Sequence, residues 1–265
     1  MAAVERAVLT PGVDVRRSGQ RFVTDVGWLD SRHSFSFGQH YDPRNTSFGL
    51  LLVSNDDVVS PGTGFETHPH RDMEIVTWVL DGGLVHQDSE GHHGLIYPGL
   101  AQRMSAGTGI LHSEKNDHAG GGGAGLSARP EAATDGPAHF VQMWVMPDEP
   151  GIRPGYEQLD ITEELSRGGL VPVASGMPQH AGGSAIRISQ RHAALFAARL
   201  DPGRSVALPS APFVHLYVAR GSVSLEGAGE LATGDAARVT LSEGQRVTAQ
   251  VGAEVLVWEM HAAIS

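Results

Sequence analysis

Two short stretches concentrate the residues able to do chemistry. The first is Thr67-His68-Pro69-His70-Arg71-Asp72-Met73-Glu74, and the second is Gly107-Thr108-Gly109-Ile110-Leu111-His112-Ser113-Glu114. In a β-strand alternate side chains share a face, so His68 and His70 can point the same way, as can His112 and Glu114. Glu74 has the parity of His68 and His70 if its strand stays regular, so spacing leaves Glu74 and Glu114 both open as the carboxylate. Two such strands meeting inside a barrel present three imidazoles and a carboxylate. That donor set suits Fe, Ni, Mn, Co, Cu or Zn, and an open coordination position makes such a site catalytic rather than structural. The chain has 14 histidines, enough that roughly one His-x-His arises by chance. The pair gains meaning from its setting: Gly62 before it, the Asp81-Gly82-Gly83 turn after it, and then a second glycine-punctuated histidine cluster.

The elements that must position these groups read as β-strands. Phe48–Val53, Glu74–Leu80, Phe140–Met146, Pro212–Val218, Val223–Leu225 and Glu254–Trp258 are short runs rich in β-branched and aromatic residues. Ser54-Asn55-Asp56-Asp57 reads as a turn closing the first. Thr162-Glu163-Glu164-Leu165 is the one candidate for a short helix. With Gly 34 and Pro 15, the pattern predicts barrels or sandwiches. The Gly/Ala-rich stretch from Ala119 to Gly136 reads as a loop insert within the first domain, either a lid or an inert extension. The Pro/Gly segment Met146-Pro147-Asp148-Glu149-Pro150-Gly151-Ile152-Arg153-Pro154-Gly155 is the better boundary, predicting domains at residues 1–150 and 151–265.

Composition narrows the function. A net charge of -11 argues against direct nucleic-acid binding, which needs a broad basic surface. The chain has no cysteine, which excludes disulfides, thiolate metal sites and cysteine nucleophiles and fits a reducing compartment. No signal-like or membrane-spanning apolar stretch is evident, so a cytoplasmic protein is expected. Among the other histidines, His33 suits a structural hydrogen bond, His92-His93 a solvated turn, His118 the border of the insert, and His215 a packed core position. Trp28, Trp78, Trp144 and Trp258 read as core.

Gly62–Gly83 and Gly99–Glu114 resemble the two cupin motifs. Gly27-Trp28-Leu29-Asp30-Ser31-Arg32-His33-Ser34-Phe35-Ser36-Phe37, Tyr41-Asp42-Pro43, the two histidine stretches, His86-Gln87-Asp88-Ser89 and Gln142–Pro147 look like the pirin family. The match is specific over residues 27–158, and bacterial pirin-like quercetin 2,3-dioxygenases resemble the chain best. Ser105 departs from the proline usual in the second cupin motif, a feature that pirin-like proteins share. The resemblance implies an all-β bicupin, two jelly-roll-type barrels packed face to face, with metal in the N-terminal barrel alone. It implies that His68, His70, His112 and Glu114 bind one divalent transition metal, iron first among the candidates, and that Glu74 does not. It also implies dioxygen insertion into a flavonol such as quercetin, opening the central ring with release of carbon monoxide, with Glu114 as candidate base. The alternative is a pirin-type regulatory protein that binds a protein partner and uses the metal as a structural or redox switch.

Overall fold

The computed structural model describes residues 9–117 and 133–264. Its first twelve strands are β1 (Gly12–Arg16), β2 (Phe22–Asp25), β3 (Leu29–His33), β4 (Leu51–Val59), β5 (Gly64–His70), β6 (Glu74–Asp81), β7 (Leu84–Asp88), β8 (His93–Ile96), β9 (Leu100–Ser105), β10 (Ile110–Lys115), β11 (Ala138–Val145) and β12 (Gly155–Asp160). A single helical turn, α1 (Thr162–Leu165), follows where expected. Ten more strands complete the chain: β13 (Val171–Ser175), β14 (Ile186–Arg187), β15 (Ala193–Leu200), β16 (Ser205–Ala207), β17 (Phe213–Arg220), β18 (Ser222–Leu225), β19 (Gly229–Ala232), β20 (Ala236–Thr240), β21 (Arg246–Ala249) and β22 (Ala253–Met260).

These strands form two barrels of the same plan. In the N-terminal barrel a seven-stranded sheet, β12-β9-β6-β11-β4-β3-β2, faces a four-stranded sheet, β5-β10-β7-β8. The C-terminal barrel repeats this with β1-β20-β17-β22-β15-β13-β14 and β16-β21-β18-β19. The two large sheets pack against each other, which is why β6 and β22 are buried on both faces and read as continuous apolar runs. Val76, Trp78 and Leu80 of β6 join Tyr217, Leu256 and Trp258 in one cluster between the barrels. The alternate residues Ile75 and Val79 turn into the N-terminal barrel. Two indole N–H groups buried in the interface are paired: Trp78 Nε1–H donates to Glu254 Oε1 at 2.7 Å, and Trp258 Nε1–H to Met143 Sδ at 3.2 Å.

Two readings of the sequence change here. Ser54-Asn55-Asp56-Asp57 is not a turn but the buried middle of β4. Its polar groups find partners far along the chain: Asn55 with His33, Asp56 with His139 and the Tyr217 hydroxyl, and Asp57 with the Ser31 hydroxyl. Strand pairing also crosses the expected boundary between residues 150 and 151. β12 lies beyond it yet extends the N-terminal sheet beside β9, while β1 leaves the N-terminal half to pair with β20. Residues 118–132, which comprise His118 and most of the Gly-rich insert, lie outside the described residues.

Candidate metal centre

The two histidine stretches become neighbouring strands of the small sheet. β5 and β10 run antiparallel with His112 directly opposite His68 and Ile110 opposite His70. A bulge between His112 and Glu114 shifts the register, so that Glu114 faces Phe65 rather than Glu66. His68, His70 and His112 converge with ring centroids 4.5 to 4.9 Å apart. Their candidate ligand atoms all lie within 4.8 Å of one another, near the spacing that ligands ~2.1 Å from a shared ion require.

Hydrogen bonds settle which nitrogen of two rings is bare. His68 Nδ1 lies 2.7 Å from the Glu66 carbonyl; a carbonyl only accepts, so Nδ1 carries the proton and Nε2 keeps its lone pair. His112 is held by a relay. His86 Nε2–H donates to Asp88 Oδ2 at 3.2 Å, which leaves His86 Nδ1 as the acceptor facing His112 Nδ1 at 3.5 Å. His112 Nε2 is thereby bare, and like His70 Nε2 it is buried without a hydrogen-bond partner. Burial, then the neighbouring imidazoles, pulls His70 down to about 4 and His112 to about 3. Both are neutral at physiological pH, as metal ligation requires. Although burial works against it, hydrogen bonds from His86 and His92 hold the Asp88 carboxyl below its usual range.

Glu114 lies next to this trio rather than within it. Its ligand atoms group with those of His112 and His86 in a second buried cluster. Gln142 Nε2–H donates to its Oε2 at 2.7 Å and Thr77 Oγ1–H to its Oε1 at 3.3 Å, while Trp144 Nε1–H donates to Gln142 Oε1 at 3.0 Å. Glu74 lies elsewhere. Asp72 adopts φ 48°, which ends the extended run after His70 and cancels the parity that linked Glu74 to the histidines. The Glu74 carboxylate instead accepts the Ser189 N–H at 3.0 Å, in the other half of the chain, and burial raises its pKa.

Five residues around the centre escaped the sequence reading in this role: Thr77, His86, Asp88, Gln142 and Trp144. Trp144, expected in the core, is half-buried and meets His70 edge-on at 4.9 Å. The alternation His86-Gln87-Asp88 was the available signal, since it has the parity of His68-Pro69-His70. Tyr156 of β12 covers the His86 ring at 4.8 Å. His92, expected to be solvated, packs beside Tyr156 and pairs with Asp88 at 3.0 Å. An open cleft of about 480 Å³, lined by Pro69, His70, Arg71, Ser89, Gly109, Ile110 and Leu111, leads to the His70 side of the cluster.

Paired barrels with a histidine and carboxylate cluster on the small sheet of one of them define a bicupin with a site suited to a metal ion. Residues 13–145 match the Pirin family and residues 173–260 the quercetinase C-terminal cupin domain. A Mycobacterium bovis protein provisionally named a quercetin 2,3-dioxygenase is 56% identical over 256 residues, covering 97% of this chain and 98% of that protein. The quercetin 2,3-dioxygenase of Escherichia coli K12 is 46% identical over 144 residues, 54% of this chain and 56% of its own. The crystal structure of the bacterial pirin YhhW from Escherichia coli in complex with nickel(II) superposes with a TM-score of 0.80 at 33% identity, covering 96% of this chain and all of that one. The chain belongs to the pirin family.

Proposed function

We propose that this protein is a metal-dependent dioxygenase that opens the central ring of flavonols such as quercetin and releases carbon monoxide. His68, His70, His112 and Glu114 hold one divalent transition metal, with iron the first candidate and nickel, copper, manganese, cobalt and zinc the others. The observation that carries the reading is the convergence of His68, His70 and His112, with the Nε2 atoms of His70 and His112 buried and without hydrogen-bond partners, beside an apolar cleft. The relatives' names support the substrate class, and the nickel-bound YhhW supports the metal.

A bound ion supplies a Lewis acid and a template for the flavonol oxygens. The chain's own residues do the rest. The cleft, within the ~300–1,000 Å³ of small-molecule sites, takes a planar aromatic body. Leu111 and Ile110 shield its face, and Trp144 fixes the His70 ring. Glu114 accepts the proton of the flavonol 3-hydroxyl. Gln142 and Thr77 hold its carboxylate at the cluster until then. Dioxygen is the second substrate.

The test is turnover of quercetin by metal-reconstituted protein, followed as loss of flavonol absorbance together with evolved carbon monoxide. Turnover above the rate with free metal, and its loss in His68→Ala, is the expected result. A rate equal to that of free metal overturns the enzyme reading and leaves the regulatory one, in which a protein partner reads the metal state.

A further inference from the structure

A second polar cavity, of about 220 Å³, lies away from the metal ligands at the seam between the barrels. One wall comes from the N-terminal half: the end of β1, the following turn through Arg21 and Phe22, and the segment containing Ser34, Asp42 and Asn45. The other wall is His215 of β17 with Ala236 and Arg238 of β20. Buried side-chain atoms without a hydrogen-bond partner concentrate here: Nε of Arg21, Oγ of Ser34, Nε2 of His215 and Nε of Arg238. All but the Arg21 residue are at least nine-tenths buried, and the Arg21 side chain itself is only 6% exposed. Burying a polar atom without a partner costs roughly 1–3 kcal/mol, and three of the four, the two guanidinium Nε–H groups and the Ser34 hydroxyl, can donate to a common acceptor.

The charges agree. Four guanidiniums line the cavity, against one carboxylate. Arg16 is paired with Asp14, Arg17 with Asp235 and Arg21 with Asp56, whereas the lining carboxylate, Asp42, is engaged by Arg44. Arg238 has no carboxylate within ion-pair distance among the described residues. Its NH2 group instead donates to the Ser34 carbonyl at 3.0 Å and to Asn45 Oδ1 at 2.7 Å, and its guanidinium lies 4.5 Å over the Phe35 ring. These contacts orient the group without an ion pair, and the carboxylate of Asp14 acts on it only at longer range. Desolvation and then the nearby Arg16 pull Arg238 down to about 10, and burial followed by Arg238 and Arg21 pulls His215 down to about 3. The imidazole is neutral and can offer one N–H.

We propose that this cavity binds a small oxyanion, a carboxylate or phosphate on a body of a few carbons, between Arg238, Arg21, Ser34 and His215. The unpartnered Nε–H of Arg238 is suited to an anionic oxygen, and the volume falls below the ~300–1,000 Å³ of sites for drug-sized ligands. The cavity is walled by both barrels, so the anion bridges them, apart from the reaction proposed above.

Isothermal titration of the full-length, metal-loaded protein with inorganic phosphate, and separately with succinate, at ionic strength fixed with sodium chloride, tests this. One saturable site for either anion is expected, at least tenfold weaker in Arg238→Gln and weakened to a lesser degree in Ser34→Ala. Phosphate binding alone identifies a phosphate site, and succinate binding alone a carboxylate site. A crystal soaked in selenate should show anomalous density between Arg238 and His215, and that result decides the matter if Arg238→Gln fails to fold. Binding of neither anion, binding undiminished in both variants, or selenate density only at the histidine cluster overturns the proposal.

Discussion

His86→Phe isolates the relay behind His112. Phenylalanine keeps a ring between Tyr156 and His112, whose centroids lie 4.8 and 5.3 Å from that of His86, but it removes the lone pair facing His112 Nδ1. His112 is 2% exposed, so water does not readily replace the lost acceptor. At 3.5 Å the Nδ1 to Nδ1 contact is at the long limit of a hydrogen bond, and its direct worth is at the low end of ~0.5–1.5 kcal/mol. The larger effect acts through the tautomer. Without an acceptor at Nδ1 the proton can move to Nε2, where it blocks ligation. Removing such an outer partner typically lowers metal affinity by ~10–100-fold, and the long contact places His86→Phe near about tenfold, or ~1.4 kcal/mol. The assay is competition for nickel(II) or zinc(II) against a chromogenic chelator, with His86→Gln, whose amide oxygen can accept, and His68→Ala as references. His86→Gln should bind close to wild type, His86→Phe about tenfold weaker, and His68→Ala scarcely at all. Wild-type affinity in His86→Phe refutes the relay. Loss as complete as in His68→Ala shows instead that His86 is itself a ligand, through the second cluster it forms with His112 and Glu114.

Other expectations follow from the same geometry. Glu74→Gln should keep its metal and Glu114→Gln lose much of it; equal losses by elemental analysis, with both proteins folded, would reject the assignment of Glu114. Burial lifts the Asp57 carboxyl from 3.8 to about 7, against the opposing hydrogen bond from Ser31. The folded state therefore holds this proton more tightly than the unfolded chain, and the resulting stability is complete below pH 3.8 and lost as pH rises through about 7. Asp57→Asn escapes that loss, so by urea denaturation it should gain on the wild type by on the order of 4 kcal/mol more at pH 8 than at pH 4; a pH-independent difference counts against the buried-carboxyl argument. Gly107→Ala should lower the melting temperature, because φ is 49° there and a Cβ would run into the Ile152 carbonyl; an unchanged melting temperature would show that the turn can shift.

The parts of the site legible in the sequence were those fixed by local geometry. His68 with His70, and His112 with Glu114, needed only the two-residue repeat of a strand. Parity failed at Glu74 because one residue, Asp72, leaves extended conformation, and an isolated aspartate before an apolar run carries no mark of doing so. Ser54–Asp57 read as a turn for a related reason. Four consecutive polar residues are unfavourable in a buried strand unless each is matched, and the matching groups, His33, His139, Tyr217 and Ser31, lie up to 161 residues away. Exchange of β1 and β12 across the barrels was hidden likewise, since edge pairing depends on which sheet a short strand reaches. His86 could have been placed from its alternation with Asp88, but only once β7 was known to flank β10.

The two barrels share one sheet order, so the presence of clustered ligand-type histidines in the first alone, among the described residues, must come from side chains. In the topological positions of β5 and β10, the C-terminal barrel has β16 and β21. The first strand pair sets His68 opposite His112, whereas the second pairs Ser205 with Thr248, Val206 with Val247 and Ala207 with Arg246, and so offers no imidazole. Val247 and Ala249 are buried among Val214, Val218, Val223, Leu225 and Val257, an aliphatic core. The N-terminal barrel instead divides its apolar contacts into two smaller clusters around a polar middle of Thr77, His86, His112, Glu114 and Gln142. A barrel so interrupted buries less apolar surface on its own, and apolar burial is the main favourable term in folding. Its large sheet recovers contact by packing on the other barrel through Trp78, Val141 and Met143, and the edge strand β12 extends it beside β9 before the chain passes to the second barrel. The filled core of the C-terminal barrel and the shared interface thus offset the polar interior of the first barrel.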